Sequence, residues 1–288
     1  MDWILIGLAA AVMLALAIAG AYVLGRASRA WEVHEDPLIE KIEQCLAGLD
    51  CGQCGYPTCN RYAEAIVKED DDIDKCRPGG AEAIHAVATV LGVEAPEVGS
   101  YFAVVHCGAT QDDRLGQAEY HGEPTCAAAD VLGGVQGCAF GCLGLGDCVR
   151  SCPFDAIHIV DGLAVVDYTR CTACGNCVRA CPRDIVSIEH FLTERMLVVA
   201  CNNTDPGRNT RAVCKVGCIA CGICARECEL FDVRGDLTRL DHDRYHPDEY
   251  GEGLRTASRK CPTGCLPFRG LPERQAPPAN ETTPKETP

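Results

Sequence analysis

The sequence is poor in positive charge and lacks the glycine-rich motifs that bind nucleotides. It has 26 lysines and arginines against 41 aspartates and glutamates, a formal net charge of −15, and this imbalance disfavours nucleic acid as a partner. No Gly-x-Gly-x-x-Gly follows a predicted strand and no P-loop is present, so we expect no nucleotide site on this chain. The acidic excess instead favours solubility or docking to basic protein surfaces.

One apolar run, at the N-terminus, is long enough to cross a bilayer. The stretch from Ile4 to Gly25 carries no charge and as a helix would span a hydrocarbon core of about 30 Å. A cleaved signal peptide is the alternative, but the chain starts Met-Asp-Trp without a basic region, and the run exceeds the usual apolar segment of a signal. We therefore predict an uncleaved, single-pass anchor in the lipid bilayer of the cell (inner) membrane. Because Arg26 and Arg29 follow the run and Asp2 precedes it, the positive-inside rule places the rest of the chain in the cytoplasm.

Cysteine is abundant, and its spacing carries chemical information. The 23 cysteines are an odd number in a chain of 288 residues, whereas disulfide frameworks belong to short secreted chains with an even count. Many are grouped as in Cys171-Thr-Ala-Cys174-Gly-Asn-Cys177-Val-Arg-Ala-Cys181-Pro182. In two-cluster bacterial ferredoxins the first three cysteines of such a motif bind one cluster and the fourth ligates the other. The pattern predicts iron–sulfur clusters and electron transfer.

Zinc is the main alternative ligand for these cysteines. Two Cys-x2-Cys pairs can form a tetrahedral zinc site. Zinc does not explain, however, why Cys152, Cys181 and Cys261 are each followed by proline, as the last ligand of the ferredoxin motif is. The spacing therefore favours iron–sulfur clusters.

A separate cysteine loop lies closer to the N-terminus. It reads Cys51-Gly-Gln-Cys54-Gly-Tyr-Pro-Thr-Cys59 and is followed by Cys76, which makes a complete set of four ligands. Gly52 and Gly55 let the backbone approach a cluster closely and adopt positive φ. Before this loop, Asp36 and Pro37 are typical of the start of a helix that runs to Gly48.

Two segments of the chain look like copies of one element. Strands are predicted at 102–106 and 196–200, ending at Cys107 and Cys201, and each is followed later by a Cys-x3-Cys motif. When the two copies are aligned, Leu145 of the first copy corresponds to Cys221 of the second, which is the middle cysteine of its triplet. Cys138, at the start of the first Cys-x3-Cys motif, is the expected substitute for the missing thiolate.

The order of these elements predicts an α+β fold. A β-hairpin with a type I′ turn is expected around Asp161-Gly162, inside a pseudo-twofold ferredoxin-like βαβ unit. We predict the following domains: a transmembrane anchor at 1–30, a small helical four-cysteine [4Fe-4S] domain at 31–99, a strand and linker segment at 100–137, a two-cluster ferredoxin domain at 138–195, an additional ferredoxin-like domain at 196–270, and a disordered tail at 271–288.

The combination of motifs resembles one known family. The N-terminal span, Glu35-Asp36-Pro37, the loop from Cys51 to Cys59, Gly141-Cys142-Leu-Gly-Leu-Gly-Asp-Cys148 and Lys215-Val-Gly-Cys218-Ile are similar to the B subunit of the Rnf (Rsx) ion-translocating oxidoreductase complex over roughly residues 1–270. The resemblance implies a membrane translocase that couples electron flow between ferredoxin and NAD to Na⁺ or H⁺ movement. The B subunit would be its electron relay, with soluble ferredoxin as donor and other subunits as partners, and without substrate or nucleotide chemistry of its own.

The resemblance and the crossed-ligand rule imply four ligand sets for [4Fe-4S] clusters. The first set is Cys51, Cys54, Cys59 and Cys76; the second set is Cys152, Cys171, Cys174 and Cys177; the third set is Cys138, Cys142, Cys148 and Cys181; the fourth set is Cys218, Cys221, Cys224 and Cys261. Secondary candidates, either ligands of an additional site or buried thiols, are Cys201, Cys214, Cys228 and Cys265. About three to five clusters are expected in total.

Several residues and alternatives stay open at this point. Cys107 and Cys126 have no assigned role, Cys45 is interpreted as structural, and His106 is the one histidine considered as a ligand. Rival functions are a ferredoxin-type subunit of another membrane dehydrogenase or hydrogenase, which would be expected to lack the four-cysteine domain, a membrane-tethered redox sensor or assembly protein, and a zinc-binding module.

Overall fold

The computed structural model describes residues 2–30, 36–96, 99–116, 118, 120–242 and 244–272. The predicted disordered tail falls outside these ranges except for its first two residues, and Glu35 also lies outside them.

The N-terminal apolar run forms a helix, α1 (Asp2–Ala30). Its segment Ile6–Ala27 has a mean hydropathy of 2.3 and is not buried against the rest of the protein. Within the described residues it is the one helix long and apolar enough to cross a membrane. The prediction of an apolar helix of this length is confirmed.

Three helices form a small unit around the first cysteine loop: α2 (Pro37–Cys45), α3 (Cys59–Val67) and α4 (Gly80–Leu91). The Asp36 side chain accepts a hydrogen bond of 2.8 Å from the backbone N–H of Leu38 and caps α2, as predicted. The core of the unit contains Ile42, Tyr62 and Val87, which are almost fully buried. The buried Tyr62 hydroxyl donates to the carbonyl of Asp72 and accepts from Lys75 N–H, which fixes the loop that leads to Cys76.

The next unit, module A, contains two cysteine motifs and two strand pairs. Its elements are β1 (Ser100–Val105), α5 (Cys126–Leu132), α6 (Asp147–Arg150), β2 (Ile157–Val160), β3 (Leu163–Val166), α7 (Asn176–Ala180) and β4 (Val186–Phe191), with a 3₁₀ turn at Gln111–Asp113. β2 and β3 form the predicted hairpin, and Asp161 (φ 48°) and Gly162 (φ 74°) both have the positive φ of a type I′ turn. β1 pairs antiparallel with β4, so the ends of module A lie side by side.

Module B repeats this order. Its elements are β5 (Arg195–Leu197), α8 (Gly207–Val213), α9 (Ile223–Glu227), β6 (Phe231–Arg234), β7 (Leu237–Leu240), α10 (Pro247–Lys260) and β8 (Phe268–Gly270). β6 pairs with β7, and β5 pairs with β8. The strand predicted at 196–200 is shorter than expected. Residues 198–200 run beside residues 265–267, because the N–H of Val198 donates to the Pro267 carbonyl and the N–H of Ala200 donates to the Cys265 carbonyl.

The two modules also differ after their hairpins. Where module A has its second cysteine group and α7, module B has the longer helix α10, which sequence analysis did not identify. Pro247 begins this helix, and acidic residues in its first turn and basic residues in its last turn complement the helix dipole. Module B therefore lacks a counterpart of the triplet Cys171, Cys174 and Cys177.

A single apolar core joins the modules. Phe102 of β1 and Phe191 of β4 pack edge to face at 5.2 Å between ring centroids. The same core includes Met196 and Leu197 of β5 and Leu254 of α10, all almost fully buried. The cysteine sites of the two modules are thus held at fixed positions relative to each other.

Candidate iron–sulfur sites

The first set surrounds the loop between α2 and α3. Gly52 and Gly55 have φ of +73° and +89°, which confirms the predicted left-handed backbone at both. Burial raises the pKa of Cys54, and the neighbouring Cys51 and Cys59 raise it further. Burial likewise raises the pKa of Cys76, to which Cys59 and Cys54 also contribute. Cys54 therefore lies within electrostatic range of Cys51 and Cys59, and Cys76 within range of Cys59 and Cys54.

The second set surrounds one cavity in module A. Cys152, Cys171, Cys174 and Cys177 all line an empty volume of about 350 Å³. Burial, together with the charge of the other three thiols, raises the pKa of Cys177 to about 12. Backbone N–H groups approach two of the sulfurs: Ala103 N lies 3.5 Å from Cys171 Sγ, and Ala156 N lies 3.4 Å from Cys152 Sγ. Such bonds stabilise thiolate ligands and tune the potential of a bound cluster.

The third set contains a cysteine that sequence analysis left unassigned. Burial raises the pKa of Cys148 to about 12, and Cys142, Cys126 and Cys181 are the next contributors. Burial also raises the pKa of Cys181, again with contributions from Cys142 and Cys126. Cys126 begins α5, which is held near α6 because Asp147 accepts from the N–H groups of Cys126 and Ala127 at 2.9 and 3.0 Å.

Cys138, expected in the third set, lies elsewhere. Its sulfur accepts a hydrogen bond of 3.4 Å from the Asn203 amide. Its carbonyl is held by the side chains of Arg183 and Gln136, each at 3.0 Å, and both also bind the carbonyl of Gly141. These bonds fix the loop so that the Cys138 thiol borders a different cavity. The geometry corrects the substitution of Cys138 for the missing thiolate: Cys126 lies there instead.

The fourth set lies in module B with one thiol more than four ligands require. Cys218, Cys221, Cys224 and Cys261 line an empty volume of about 320 Å³, together with Cys265. The Cys265 sulfur lies 3.6 Å from that of Cys261, and interaction with the neighbouring Cys265 thiol lowers the pKa of both Cys261 and Cys218. Thr238 Oγ1 lies 3.6 Å from the sulfurs of both Cys218 and Cys224. Cys221 is the one exposed member of the set.

The number and chemistry of the thiols fit iron–sulfur clusters. In the described part of the chain, no group of three or more His, Cys, Asp or Glu side chains is close enough to bind a single metal ion. A [4Fe-4S] cubane takes four thiolates, one on each iron, and the four cysteines of each set would supply them.

Comparisons with known proteins agree with this chemistry. Residues 46–78 match a family model described as a putative Fe-S cluster, and residues 136–183 match a 4Fe-4S dicluster domain. The chain is 37% identical over 247 residues to the B subunit of the Na⁺-translocating ferredoxin:NAD⁺ oxidoreductase complex of Acetobacterium woodii, an alignment that covers 84% of this chain and 72% of the relative. It is also 37% identical over 238 residues to the B subunit of the ion-translocating oxidoreductase complex of Methanosarcina acetivorans, covering 81% of this chain and 89% of that protein.

The chain belongs to the family of B subunits of ion-translocating oxidoreductase complexes. The predicted family, the α+β fold class and the role in electron transfer are confirmed. A further member, the B subunit of the proton-translocating ferredoxin:NAD⁺ oxidoreductase complex of Clostridium ljungdahlii, is 36% identical over 210 residues, 72% of this chain and 73% of the relative.

The remaining candidate cysteines separate into two groups. Cys201 and Cys214 line the same cavity as Cys138, and Cys107 joins them there. Cys228 does not line this cavity or those of the second and fourth sets; it is buried in the apolar core that joins the modules. In the sequence, Cys228 occupies the place of the fourth cysteine of the ferredoxin motif, which ligates the cluster of a second triplet. In module B, α10 replaces that second triplet.

Two other residues considered from the sequence have local partners. The Cys45 thiol donates to the Lys41 carbonyl at 3.2 Å within α2, as expected of a structural thiol. Both ring nitrogens of His106 are engaged, one with the Val199 carbonyl at 2.9 Å and the other with the Ser187 hydroxyl at 2.7 Å. His106 therefore has no free nitrogen for a metal.

Proposed function

We propose that this chain is the electron relay of a membrane-bound complex that transfers electrons between ferredoxin and NAD and couples this flow to the movement of Na⁺ or H⁺. It would hold [4Fe-4S] clusters in the first set, in the second set, in the third set with Cys126 in place of Cys138, and in the fourth set. The observation that carries the proposal is that the three sets are neighbours. The loops of the first and second sets are in contact, and the second and third sets each take one cysteine from the other's motif. Electrons can hop between neighbouring clusters without any bond being made or broken in the protein.

The contact between the first and second sets involves two loops that face each other. The Arg179 guanidinium of α7 lies 3.4 Å from the carbonyl of Cys51. The Gln53 side chain lies against Gly175, where an added Cβ would be 1.9 Å from its amide nitrogen. On another side, Cys76 and Cys171 border the same cavity of about 660 Å³. These contacts support electron exchange between the two clusters.

The second and third sets are joined by crossed ligation. Cys181 follows the triplet of the second set but lies with the thiols of the third set. Cys152 in turn follows Cys148 of the third set but lines the cavity of the second set. Each cluster would thus be bound by residues on both sides of the pair, which would keep the two clusters close.

The residues around the sulfurs would set the reduction potentials. Backbone N–H groups that point at sulfur stabilise the reduced, more negative cluster, whereas burial and nearby acidic charge oppose reduction. Because Cys221 is exposed, the fourth cluster would lie near the protein surface, which would suit exchange with a soluble donor such as ferredoxin. The helix α1 would anchor the relay, with the bulk of the chain on the cytoplasmic side.

Metal analysis and EPR on anaerobically purified protein test this proposal. We expect iron and acid-labile sulfide in equal amounts. Cys174→Ala should remove about four irons and one EPR signal and stop electron transfer in the assembled complex. Cys45→Ala is the matched control, because Cys45 belongs to no ligand set, and it should retain every cluster. Stoichiometric zinc without iron, or an unchanged iron content in Cys174→Ala, would contradict the proposal.

A further inference from the structure

We propose that Cys107, Cys138, Cys201 and Cys214 hold an additional [4Fe-4S] cluster at the junction of modules A and B, between the third and fourth clusters. We call these four residues the junction set. The inference rests on the proposed function, since the cluster would serve the same relay, and it adds a ligand set to it.

The four thiols of the junction set line one cavity. Its empty volume is about 420 Å³, similar to the cavities of about 350 and 320 Å³ at the second and fourth sets. Cys107, Cys201 and Cys214 are buried and Cys138 is half-buried. Four such thiols around one cavity have the number and type of ligands that a cubane needs.

The internal duplication explains why the thiols come in pairs. Cys107 follows β1 and Cys201 follows the extended segment after β5, which are equivalent strands of the two modules. Cys138 and Cys214 are likewise equivalent, because each begins a Cys-x3-Cys motif. The junction set therefore consists of two symmetry-related pairs, one from each module, that face each other across the junction.

The backbones of the two modules are bonded directly beside this cavity. Arg114 forms an isolated antiparallel bridge with Cys214. The N–H of Leu115 donates to the Val213 carbonyl at 2.9 Å, and the N–H of Lys215 donates to the Asp113 carbonyl, also at 2.9 Å. These bonds hold the ligands of module B against those of module A.

The surroundings suit a negatively charged cluster. The Arg114 side chain lines the cavity and is held by the carbonyls of Gly162 at 2.6 Å and Ala109 at 3.3 Å. None of the described side chains that line the cavity is a carboxylate. The almost fully buried Asn203 donates its amide N–H to Cys138 Sγ at 3.4 Å. A fixed cation and N–H donors stabilise thiolate ligands and their iron.

Two contacts support a position of this site between the third and fourth sets. The N–H of Cys142, a member of the third set, lies 3.5 Å from Cys107 Sγ. The backbone N–H of Cys218, a member of the fourth set, is near the sulfur of Cys201. One electron would pass from the reduced third cluster to the oxidised junction cluster and then to the fourth, or in reverse. Each transfer oxidises one cluster and reduces the next, and no proton or bond is involved.

The test compares three variants of the full-length protein, purified anaerobically in detergent, by iron and sulfide content and by EPR. Cys214→Ala should lose about four irons and one EPR signal while the other signals remain. Cys138→Ala should give the same loss, and because its thiol is only half-buried on a loop, it serves if Cys214→Ala fails to fold. Cys228→Ala, which removes a buried thiol outside every set, should keep the full iron content.

Cys174→Ala distinguishes the two proposals. If it loses a cluster while Cys214→Ala and Cys138→Ala keep all their iron, the junction cluster is refuted and the proposed function stands. If Cys174→Ala also keeps all its iron, the ligand sets of the proposed function fail as well. Zinc bound in wild-type protein and lost only in Cys214→Ala would also refute a junction cubane.

Discussion

Replacing Gly175 with alanine should disturb the contact between the first and second sets while leaving both sets of ligands in place. Gly175 has φ of +74°, and an added Cβ would lie 1.9 Å from the amide nitrogen of Gln53. To reach ordinary contact at 3.4 Å, the end of the Gln53 side chain must move by about 1.5 Å. A flexible side chain can make this movement, so the change affects the fit of the two loops more than the stability of either.

The duplication offers a matched control for this variant. Gly222 precedes α9 as Gly175 precedes α7, with φ of +68°, but an added Cβ there meets no atom within 4 Å. Both alanines suffer the strain of the left-handed conformation, about 1–2 kcal/mol. We therefore expect similar drops in the free energy of unfolding for Gly175→Ala and Gly222→Ala.

Electron transfer should separate the two variants. In EPR of the fully reduced protein, the magnetic interaction between the first and second clusters should change in Gly175→Ala and stay at its wild-type value in Gly222→Ala. Turnover of the assembled complex should be slower in the first variant. Identical spin interaction and identical turnover in the two variants would refute the assignment of this contact as a route for electrons.

Three other measurements test individual residues. Cys126→Ala and Cys138→Ala should each lose about four irons, and the double variant should lose about eight. If the double variant loses no more iron than either single variant, both cysteines belong to one ligand set. Gly79→Ala should lower the stability of the four-cysteine unit by about 1–3 kcal/mol, because the new Cβ would lie 2.4 Å from Ala83 Cβ and 3.0 Å from Cys76 Sγ. The measurement is the Tm, which should fall; an unchanged Tm would contradict this packing. Although burial raises the pKa of Glu189, the neighbouring His106 and hydrogen bonds from His242 and Ser187 hold it well below its usual range. The ionised Glu189 therefore adds stability above its unfolded pKa of about 4.5, and wild-type protein should lose stability more steeply than Glu189→Gln as the pH falls below that value; parallel denaturation curves against pH would contradict this.

The sequence predicted best what depends on neighbours along the chain. The left-handed Gly52 and Gly55, the Asp36 cap and the hairpin at Asp161-Gly162 all follow from local backbone chemistry, and the structure has each of them. The family was likewise recognisable, because its cysteine spacings are short and regular.

Contacts between distant segments could not be predicted in this way. Cys126 reaches the third set because Asp147, far along the chain, accepts hydrogen bonds from the start of α5, and no spacing rule connects the two. Cys107 and Cys201 meet only after β1 has paired with β4 and β5 with β8. Helix α10 has few apolar residues, and the polarity of the segment as a whole conceals a helix whose apolar side buries Leu254 in the core.

The core that joins the two modules also limits how this protein can be controlled. One apolar core contains Phe102 and Phe191 of module A and Met196 and Leu197 of module B. Because this core is shared, the modules do not move independently as domains joined by a flexible linker would. A carrier that docks on either module would meet a rigid body in which the distances between the cysteine sets are already fixed. Electron transfer therefore has to be controlled outside the two modules. A neighbouring protein of the complex can do so by moving an electron donor or acceptor into or out of range.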